Sequence, residues 1–314
     1  MHLQNKKTRI RVHENKIKNM KKRQLSPNFL TMLLKGAYYN VLKMVQEDDT
    51  VDMEMRGESV IIYYRGGKLF ELYENGTLVT LDDQYGTTQT VLSIDNIIQY
   101  SQEAKHLIDR YQTTVKRNLG EKEISQRIVQ ENNYSPYSID TDYFIVDMEF
   151  NDGKQFDLVA LKWEATKTAH QTKKCTLALL ETKQGYKTLR SSKVNPGLNR
   201  HYSDYMEFVQ SDDIKDFKND MLEIFKQKCI LGLINGINGE NDNLNVDTNT
   251  KFQLSEDIEF VVILANYKQA SRNLANELKE IPKDNCCKFS QSSFMGYGLY
   301  SGYMLNFEQF SFIL

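Results

Sequence analysis

The chain has 314 residues, of which 40 are Lys or Arg and 42 are Asp or Glu, so its net charge is −2. This length can bury one large core or two modest ones. The balanced charge is not typical of a protein that binds nucleic acid through its overall charge. No segment approaches the ~20 apolar residues needed to cross a bilayer, so we predict a soluble protein with no membrane partner.

Charge is distributed unevenly along the chain. Residues 1–24 contain nine Lys or Arg and one acid, Glu14, whereas the remainder holds 31 basic and 41 acidic residues. We therefore predict a basic arm over residues 1–25, without the apolar core of a signal peptide. Such an arm can hold DNA or RNA by its phosphates without sequence preference. A disordered tail or a basic amphipathic helix explains the same composition.

Residues 26–112 are predicted to form a small α+β module. Ser26 stands before Pro27 as a helix N-cap, and the apolar spacing that follows predicts a single helix to about residue 48. Glycine-containing turns at 66–67 and 75–76 divide the next segment into three short strands, which predicts an antiparallel β-meander.

A second helix, at 94–111, is predicted to link the meander to the rest of the chain. Arg65 lies at the first turn of the meander, where we expect either a contact with phosphate or an exposed turn arginine.

Residues 113–314 are predicted to form the main α/β domain. Its elements are predicted from apolar periodicity in the order of a helix, three strands, a helix and a later strand, at 119–133, 143–150, 155–163, 175–185, 197–209 and 258–266. The aromatic and glycine-rich tail at 289–314 is expected to add terminal strands that dock on the sheet, or to form a contact between copies of the chain.

Three charged residues on two neighbouring strands carry the functional prediction. Side chains alternate along a strand, so Glu181 and Lys183 leave the same face while Thr182 points away. If the strand at 155–163 lies alongside, Asp157 adds a second carboxylate at the same place. Two hard oxygen ligands suit Mg²⁺ or Mn²⁺.

The triplet of an acid, any residue and Lys is common in this chain, with six further copies. The copy at 181–183 differs because it ends an apolar strand, where a charged pair needs an explanation. The alternative is that Glu181 and Lys183 only mark where the strand meets solvent.

Asp157, followed after twenty-three residues by Glu181-Thr182-Lys183, resembles the PD-(D/E)XK nuclease superfamily. The order of elements between about residues 115 and 270 resembles that family's core as well. Phe156 stands where the family pattern has Pro, a position that often varies in relatives. The resemblance implies a restriction-endonuclease-like fold, with a central mixed sheet flanked by helices.

The resemblance also implies metal-dependent hydrolysis of phosphodiester bonds. Asp157, Glu181 and the main-chain carbonyl of Thr182 would bind Mg²⁺ or Mn²⁺, and Lys183 would orient a water or stabilise charge on the phosphate. Further candidates for the site are Glu123, Gln126, Glu149 and His201. Candidates for contacts with nucleic acid are Arg65, Gln184, Lys187 and Arg190.

The four cysteines, at 175, 229, 286 and 287, lack metal-ligand spacing and favour a reducing cytoplasm. The sequence thus predicts a metal-dependent nuclease, acting on DNA in a bacterial defence, restriction or repair setting. The alternatives are a catalytically inactive protein of the same fold that binds nucleic acid or a partner, and an unrelated α/β protein whose strand ends imitate the motif.

Overall fold

Two β-sheets organise the chain in its computed structural model. The structure describes residues 21–116, 120–151, 155–184, 197–238, 244–265, 272–281, 287–292 and 296–313. The larger sheet has six strands with mixed directions and is flanked by helices, whereas the smaller sheet has four antiparallel strands. The predicted mixed α/β class is therefore confirmed.

The amino-terminal elements build the four-stranded sheet and the helices around it. They are α1 (Pro27–Lys35), α2 (Tyr39–Glu47), β1 (Val51–Met55), β2 (Ser59–Tyr64), β3 (Gly67–Tyr73), β4 (Leu78–Val79) and α3 (Ile97–Tyr111). The strands follow one another in the order β1-β2-β3-β4. The meander is thus confirmed, with β1 as an additional strand that the sequence patterns did not predict.

The predicted cap of the first helix is confirmed, but the predicted length is wrong. Ser26 Oγ accepts a hydrogen bond from the Phe29 N–H at 3.0 Å. The helix ends at Lys35, and the N–H of the next residue, Gly36, donates to the Met32 carbonyl at 3.1 Å. Because the backbone turns to an extended conformation at this glycine, α2 begins as a separate helix.

The carboxyl-terminal elements build the six-stranded sheet. They are α4 (Glu121–Val129), β5 (Tyr143–Asn151), β6 (Gln155–Lys162), α5 (Lys167–Thr172), β7 (Lys174–Gln184), α6 (Leu198–Val209), α7 (Ile214–Ile230), β8 (Gln253–Ala265), α8 (Arg272–Glu280), β9 (Cys287–Ser292), β10 (Leu305–Asn306) and α9 (Phe307–Ile313). The strand order is β10-β9-β8-β7-β6-β5, antiparallel from β5 to β7 and parallel from β7 to β9.

The predicted order of a helix, three strands, a helix and a strand is present, with α5 and α7 as insertions. The tail supplies the short strand β10, and Tyr297 and Leu299 pack in the core. Its last described residues form the helix α9 rather than a further strand.

Helices cover the large sheet through two separate sets of apolar side chains. The α4 cluster joins that helix to one set of strand residues and includes Ile124, Ile128, Met148, Leu158 and Ala178. The aromatic cluster joins α6 and α7 to the other set and includes Phe150, Phe156, Phe208 and Phe217. The aromatic cluster belongs to a core that continues into the amino-terminal sheet and its helices.

Buried ion pairs also connect the two sheets. Lys228 on α7 lies 2.8 Å from Glu54 on β1, and both side chains are fully buried. Arg23 and Arg56 both bind the buried Asp147 on β5, at 2.5 and 2.7 Å. The end of the predicted basic arm is therefore fixed against the large sheet, while its first twenty residues lie outside the described residues.

Within the described part of the chain, no helix is both long and apolar enough to cross a membrane. Cys175 and Cys229 are buried free thiols, and the side chain of Cys287 is buried as well.

Candidate functional site

The predicted site lies where β6 and β7 stop pairing. Leu158 pairs with Leu180 at the end of the ladder, so Asp157 and Glu181 are the next residues on the two strands. Asp157 Oδ2 accepts a hydrogen bond from the Thr182 N–H at 2.8 Å. A carboxylate thus takes the place of a backbone acceptor and ties the two strands together at the site.

Strands β5 and β6 change face at the level of Asp157. Glu149 on β5 has a φ of 61°, the left-handed region that non-glycine residues rarely adopt. The paired residues on the two sides of this position pack in different clusters: Met148 and Leu158 in the α4 cluster, Phe150 and Phe156 in the aromatic cluster. Asp157 therefore lies where the strands change the face that they present.

Glu181, Lys183 and His201 form a close triangle beside Asp157. Lys183 Nζ donates to Glu181 Oε1 at 2.5 Å, which confirms that the two side chains share a face. His201 Nε2, on α6, lies 3.2 Å from both Lys183 Nζ and Glu181 Oε1. Glu181 and Lys183 are buried, so each charge depends on the others for stabilisation.

The electrostatic environment disfavours the charged form of both carboxylates. Burial raises the pKa of Asp157 to about 7, against the opposing effects of Lys183 and the Thr182 N–H. The pKa of Glu181 lies well above its usual range because of burial and the repulsion from Asp157, and Lys183 opposes both causes. One ammonium therefore does not compensate the two acids, as expected for a site that binds a further cation.

Glu121, which the sequence prediction missed, is the acid of α4 that acts on this site. Its charge contributes to raising the pKa of both Asp157 and Glu181. Its Oε1 is buried and has no hydrogen-bond partner among the described residues. Helical spacing could have predicted this, because Glu121 lies three residues before Ile124 and seven before Ile128. Residues at these spacings share one face of a helix, and both isoleucines face the sheet.

Glu123 and Gln126, two further candidates for the site, make their contacts at the turn between β2 and β3. Glu123 pairs with Arg65 at 2.9 Å. Gln126 accepts from the Gly66 N–H at 2.7 Å and donates to the Tyr63 carbonyl at 3.0 Å. Both residues lie on the side of α4 that holds the turn between β2 and β3.

Arg65 occupies that turn, as predicted, with a φ of 49°. Its guanidinium lies 2.8 Å from Asp109 as well as contacting Glu123. Two carboxylates thus hold the arginine that was expected either to contact phosphate or to remain exposed.

Glu149 lies beside the site rather than in its centre. Its carboxylate pairs with Lys122 at 2.7 Å, and its charge contributes to raising the pKa of Asp157. Gln184 is the last residue of β7 and pairs with Ala265 on β8. Lys187 and Arg190 lie outside the described residues.

The donor set fits a hard divalent cation that keeps several water ligands. Within the described residues, no group of three or more His, Cys, Asp or Glu side chains is arranged to hold a metal ion. Asp157 and Glu181 supply two carboxylates whose negative charge Lys183 does not compensate. Two carboxylates with water and phosphate oxygens are a usual ligand set for Mg²⁺.

Comparison of the chain with protein-family models, curated proteins and solved structures gives no match. The likeness to PD-(D/E)XK nucleases therefore depends on the motif at Asp157, Glu181 and Lys183 and on the order of the elements around it.

Proposed function

We propose that this protein is a metal-dependent nuclease that hydrolyses phosphodiester bonds. The observation that carries the proposal is the pair of carboxylates, Asp157 and Glu181, at the end of two antiparallel strands beside Lys183. The pKa of each carboxylate is raised by burial, and Asp157 adds repulsion at Glu181. A site built at this electrostatic cost is typical of function rather than of stability.

Asp157 and Glu181 would hold Mg²⁺ or Mn²⁺ in this proposal, with the Thr182 carbonyl as a further ligand. The N–H and C=O of one strand residue point towards the same neighbouring strand. Because the Thr182 N–H binds Asp157, its carbonyl is directed towards the same side. A divalent ion bound there would polarise the phosphate and lower the pKa of a bound water.

Lys183 is proposed to bind the phosphate or orient the attacking water. An ammonium has three N–H donors. Within the described part of the chain, Glu181 and His201 are the two partners of Lys183. The third donor is then available for a phosphate oxygen on which charge develops during hydrolysis.

His201 is proposed as a positioning residue. Its Nε2 touches both Lys183 and Glu181, so the ring limits where each charged group can lie. Glu121 is proposed to add negative charge that favours binding of the cation.

DNA is the proposed substrate and RNA the alternative, and both follow from the family resemblance, as does a defence, restriction or repair setting in bacteria. A cytoplasmic location is proposed from the cysteine pattern. A catalytically inactive protein that binds nucleic acid or a partner is the competing function.

The test compares four proteins on linear, circular and single-stranded DNA and on RNA, with Mg²⁺ or Mn²⁺. They are the wild type, Lys183→Ala, Asp157→Asn and the control Lys174→Ala. Lys174 is an exposed lysine at the other end of the same strand. We expect the first two substitutions to lower cleavage by about 10²-fold or more and the control to match the wild type.

Equal cleavage by all four proteins would mean that the site is not responsible and would overturn the proposal. Binding of nucleic acid without cleavage by the wild type would favour the inactive alternative.

A further inference from the structure

The last residues of the basic arm are bound by side chains of α7. The Arg23 and Gln24 N–H groups donate to Asp220 Oδ2 and Oδ1 at 2.8 and 3.2 Å. Gln227 binds the backbone of Leu25 twice: its Oε1 accepts from the Leu25 N–H at 2.8 Å, and its Nε2 donates to the Leu25 carbonyl at 2.9 Å. Asp220 and Gln227 are both buried. The backbone of residues 23–25 is therefore held by α7, whatever side chains the arm carries.

The side chain of Arg23 fixes the same segment to β5. Its Nη1 pairs with Asp147 Oδ2 at 2.5 Å, and its Nη2 donates to the Asn151 carbonyl at 3.4 Å. The guanidinium carbon lies 4.7 Å from the centroid of the Phe150 ring. Arg23 is buried, so this arginine serves to attach the arm.

The turn between β1 and β2 closes over the segment from the other side. The Gly57 N–H donates to the Arg23 carbonyl at 2.8 Å. Gly57 has a φ of +74°, and a Cβ at this position would lie 2.6 Å from the Lys22 carbonyl oxygen. The contacts of residues 22–25 with α7, β5 and this turn are the anchor of the arm. Lys21 and Lys22, at its edge, have exposed side chains.

The contacts along α7 and β5 give the direction in which the arm leaves the anchor. Leu25 lies at Gln227 and Arg23 at Asp220, seven residues earlier in the helix, or about 10 Å at 1.5 Å per residue. Lys228, next to Gln227, contacts the Ile145 carbonyl near the start of β5. Arg23 instead reaches the last residue of that strand. Traced towards its amino terminus, the arm therefore runs to the carboxyl end of β5.

The carboxylates of the candidate site lie at the same end of the sheet. Asn151 pairs with Gln155 at the start of β6, and Asp157 is two residues further on, about 7 Å along the strand. Because β7 is antiparallel to β6, Glu181 near its end lies there as well. The exposed lysines at the edge of the anchor thus leave the sheet beside the candidate site.

Charge divides sharply between the arm and the rest of the chain. Residues 1–24 hold nine basic residues and one acid, a net charge of +8, whereas residues 25–314 hold 31 basic and 41 acidic residues, a net charge of −10. A body of that charge repels a polyanion. Lysine and arginine side chains bind phosphates without sequence preference and release counterions from the nucleic acid. A phosphate backbone that approaches the carboxylates therefore needs the arm.

We propose that the basic arm binds the phosphates of a nucleic-acid strand and that its anchor holds this contact at the carboxylate end of the large sheet. Lys21 and Lys22 are the phosphate-binding residues nearest to the site. Arg23, Asp220 and Gln227 are positioning residues. As a contact with the substrate strand, the arm rests on the proposed nuclease function. A basic segment also suits an anionic membrane surface, so the experiment includes vesicles.

The first measurement is the affinity for nucleic acid in EDTA, so that cleavage does not interfere. Fluorescence anisotropy gives the Kd of single- and double-stranded oligonucleotides at several salt concentrations. The arm variant replaces Lys18, Lys21 and Lys22 with Gln. The matched control replaces Lys167, Lys174 and Lys251 with Gln, three exposed lysines at the opposite end of the sheet. Both variants lose three positive charges, so their overall charge is equal.

We expect only the arm variant to lose affinity. For single strands it should reduce the slope of log K against log salt by about 2, or about 0.7 for each lysine, and weaken binding by about 10-fold or more near 0.15 M salt. The control should stay within about twofold of the wild type, because its lysines lie away from the bound strand.

The second measurement locates the bound strand. A photo-crosslinking benzoylphenylalanine takes the place of Lys22 in one protein and of Lys174 in another. We expect a covalent adduct with the oligonucleotide from position 22 and not from position 174. Asp220→Ala should lower the yield at position 22 several-fold, because it removes two hydrogen bonds of the anchor. Loss of an acid would strengthen binding if overall charge alone mattered. Asp220→Asn keeps one acceptor oxygen and should retain most of the yield.

The outcomes separate the arm from the catalytic site. Equal affinities of the arm variant and its control, or no adduct at position 22 while the oligonucleotide is bound, would overturn the proposal even if nucleic acid is cleaved. Arm-dependent binding in EDTA, without cleavage in Mg²⁺, would support the arm and count against the nuclease. Binding to phosphatidylserine vesicles but to no DNA or RNA would overturn the proposal, as would failure of the wild type to bind either.

Discussion

The carboxylate of Asp157 should make the metal-free protein less stable as the pH rises. Burial raises its pKa from an ordinary value of 3.8 to about 7. The unfolded chain therefore releases this proton near pH 3.8 and the folded chain releases it near pH 7. Between these values the unfolded state binds fewer protons, so the free energy of unfolding falls with increasing pH.

The decline is about 1.4 kcal/mol per pH unit, hence about 2 kcal/mol between pH 5.5 and 7. Asp157→Asn removes this titration, so its stability relative to wild type should increase by up to about 2 kcal/mol from pH 5.5 to 8.5. Partial contact of the side chain with solvent makes this figure an upper bound. Since Asp157 also raises the pKa of Glu181, loss of its charge acts in the same direction there.

Urea unfolding in EDTA at pH 5.5 and 8.5 measures the effect. Asp212→Asn, at an exposed acid, is the control and should show the same pH dependence as wild type. Adding Mg²⁺ at pH 8.5 should stabilise the wild type and not Asp157→Asn. If the difference between Asp157→Asn and wild type is the same at both pH values, the reasoning about a buried, raised carboxylate is wrong.

The remaining predictions concern the contacts of the amino-terminal sheet with helices α7 and α4. Lys228→Met should lower the free energy of unfolding by about 3–5 kcal/mol, because it leaves the fully buried Glu54 without its closest cation. The double variant Lys228→Met, Glu54→Leu should recover most of this loss. If the double variant does not recover it, the ion-pair explanation is wrong. Gly66→Ala should cost more than about 1 kcal/mol, because φ is +73° and a Cβ would lie 2.6 Å from the Glu123 nitrogen. A Cβ added at Gly302 has no neighbour within 4 Å, so the control Gly302→Ala should change the free energy of unfolding by less than about 0.5 kcal/mol. If urea titrations give the same effect for Gly66→Ala and Gly302→Ala, the close contact between Gly66 and α4 is not what limits the residue at this position.

Local patterns predicted the strands that carry the site. Period-2 alternation placed Glu181 and Lys183 on one face, and the structure brings their side chains to 2.5 Å. Strand β1 was not predicted from the sequence. Its acids Asp52 and Glu54 imitate a solvent-facing side, yet both are fully buried. They are buried because Tyr134 and Lys228, from distant segments, supply their partners.

The sequence does not show which acid of α4, Glu121 or Glu123, faces the candidate site. Glu121 and Glu123 both lie in the first turn of the helix, and either satisfies the same local preference for acids there. Packing of Ile124 and Ile128 against the sheet rotates Glu121 towards Asp157 and Glu123 towards Arg65. Rotation of a helix about its axis depends on what it packs against.

The sequence by itself determined the sheet strands of the site and the pairing of Glu181 with Lys183, because strand alternation is a local property of the backbone. Only the tertiary structure decided that Glu121 and His201 join them. These contacts join residues far apart in the chain. Their geometry depends on how helices and sheets pack, which no local pattern encodes.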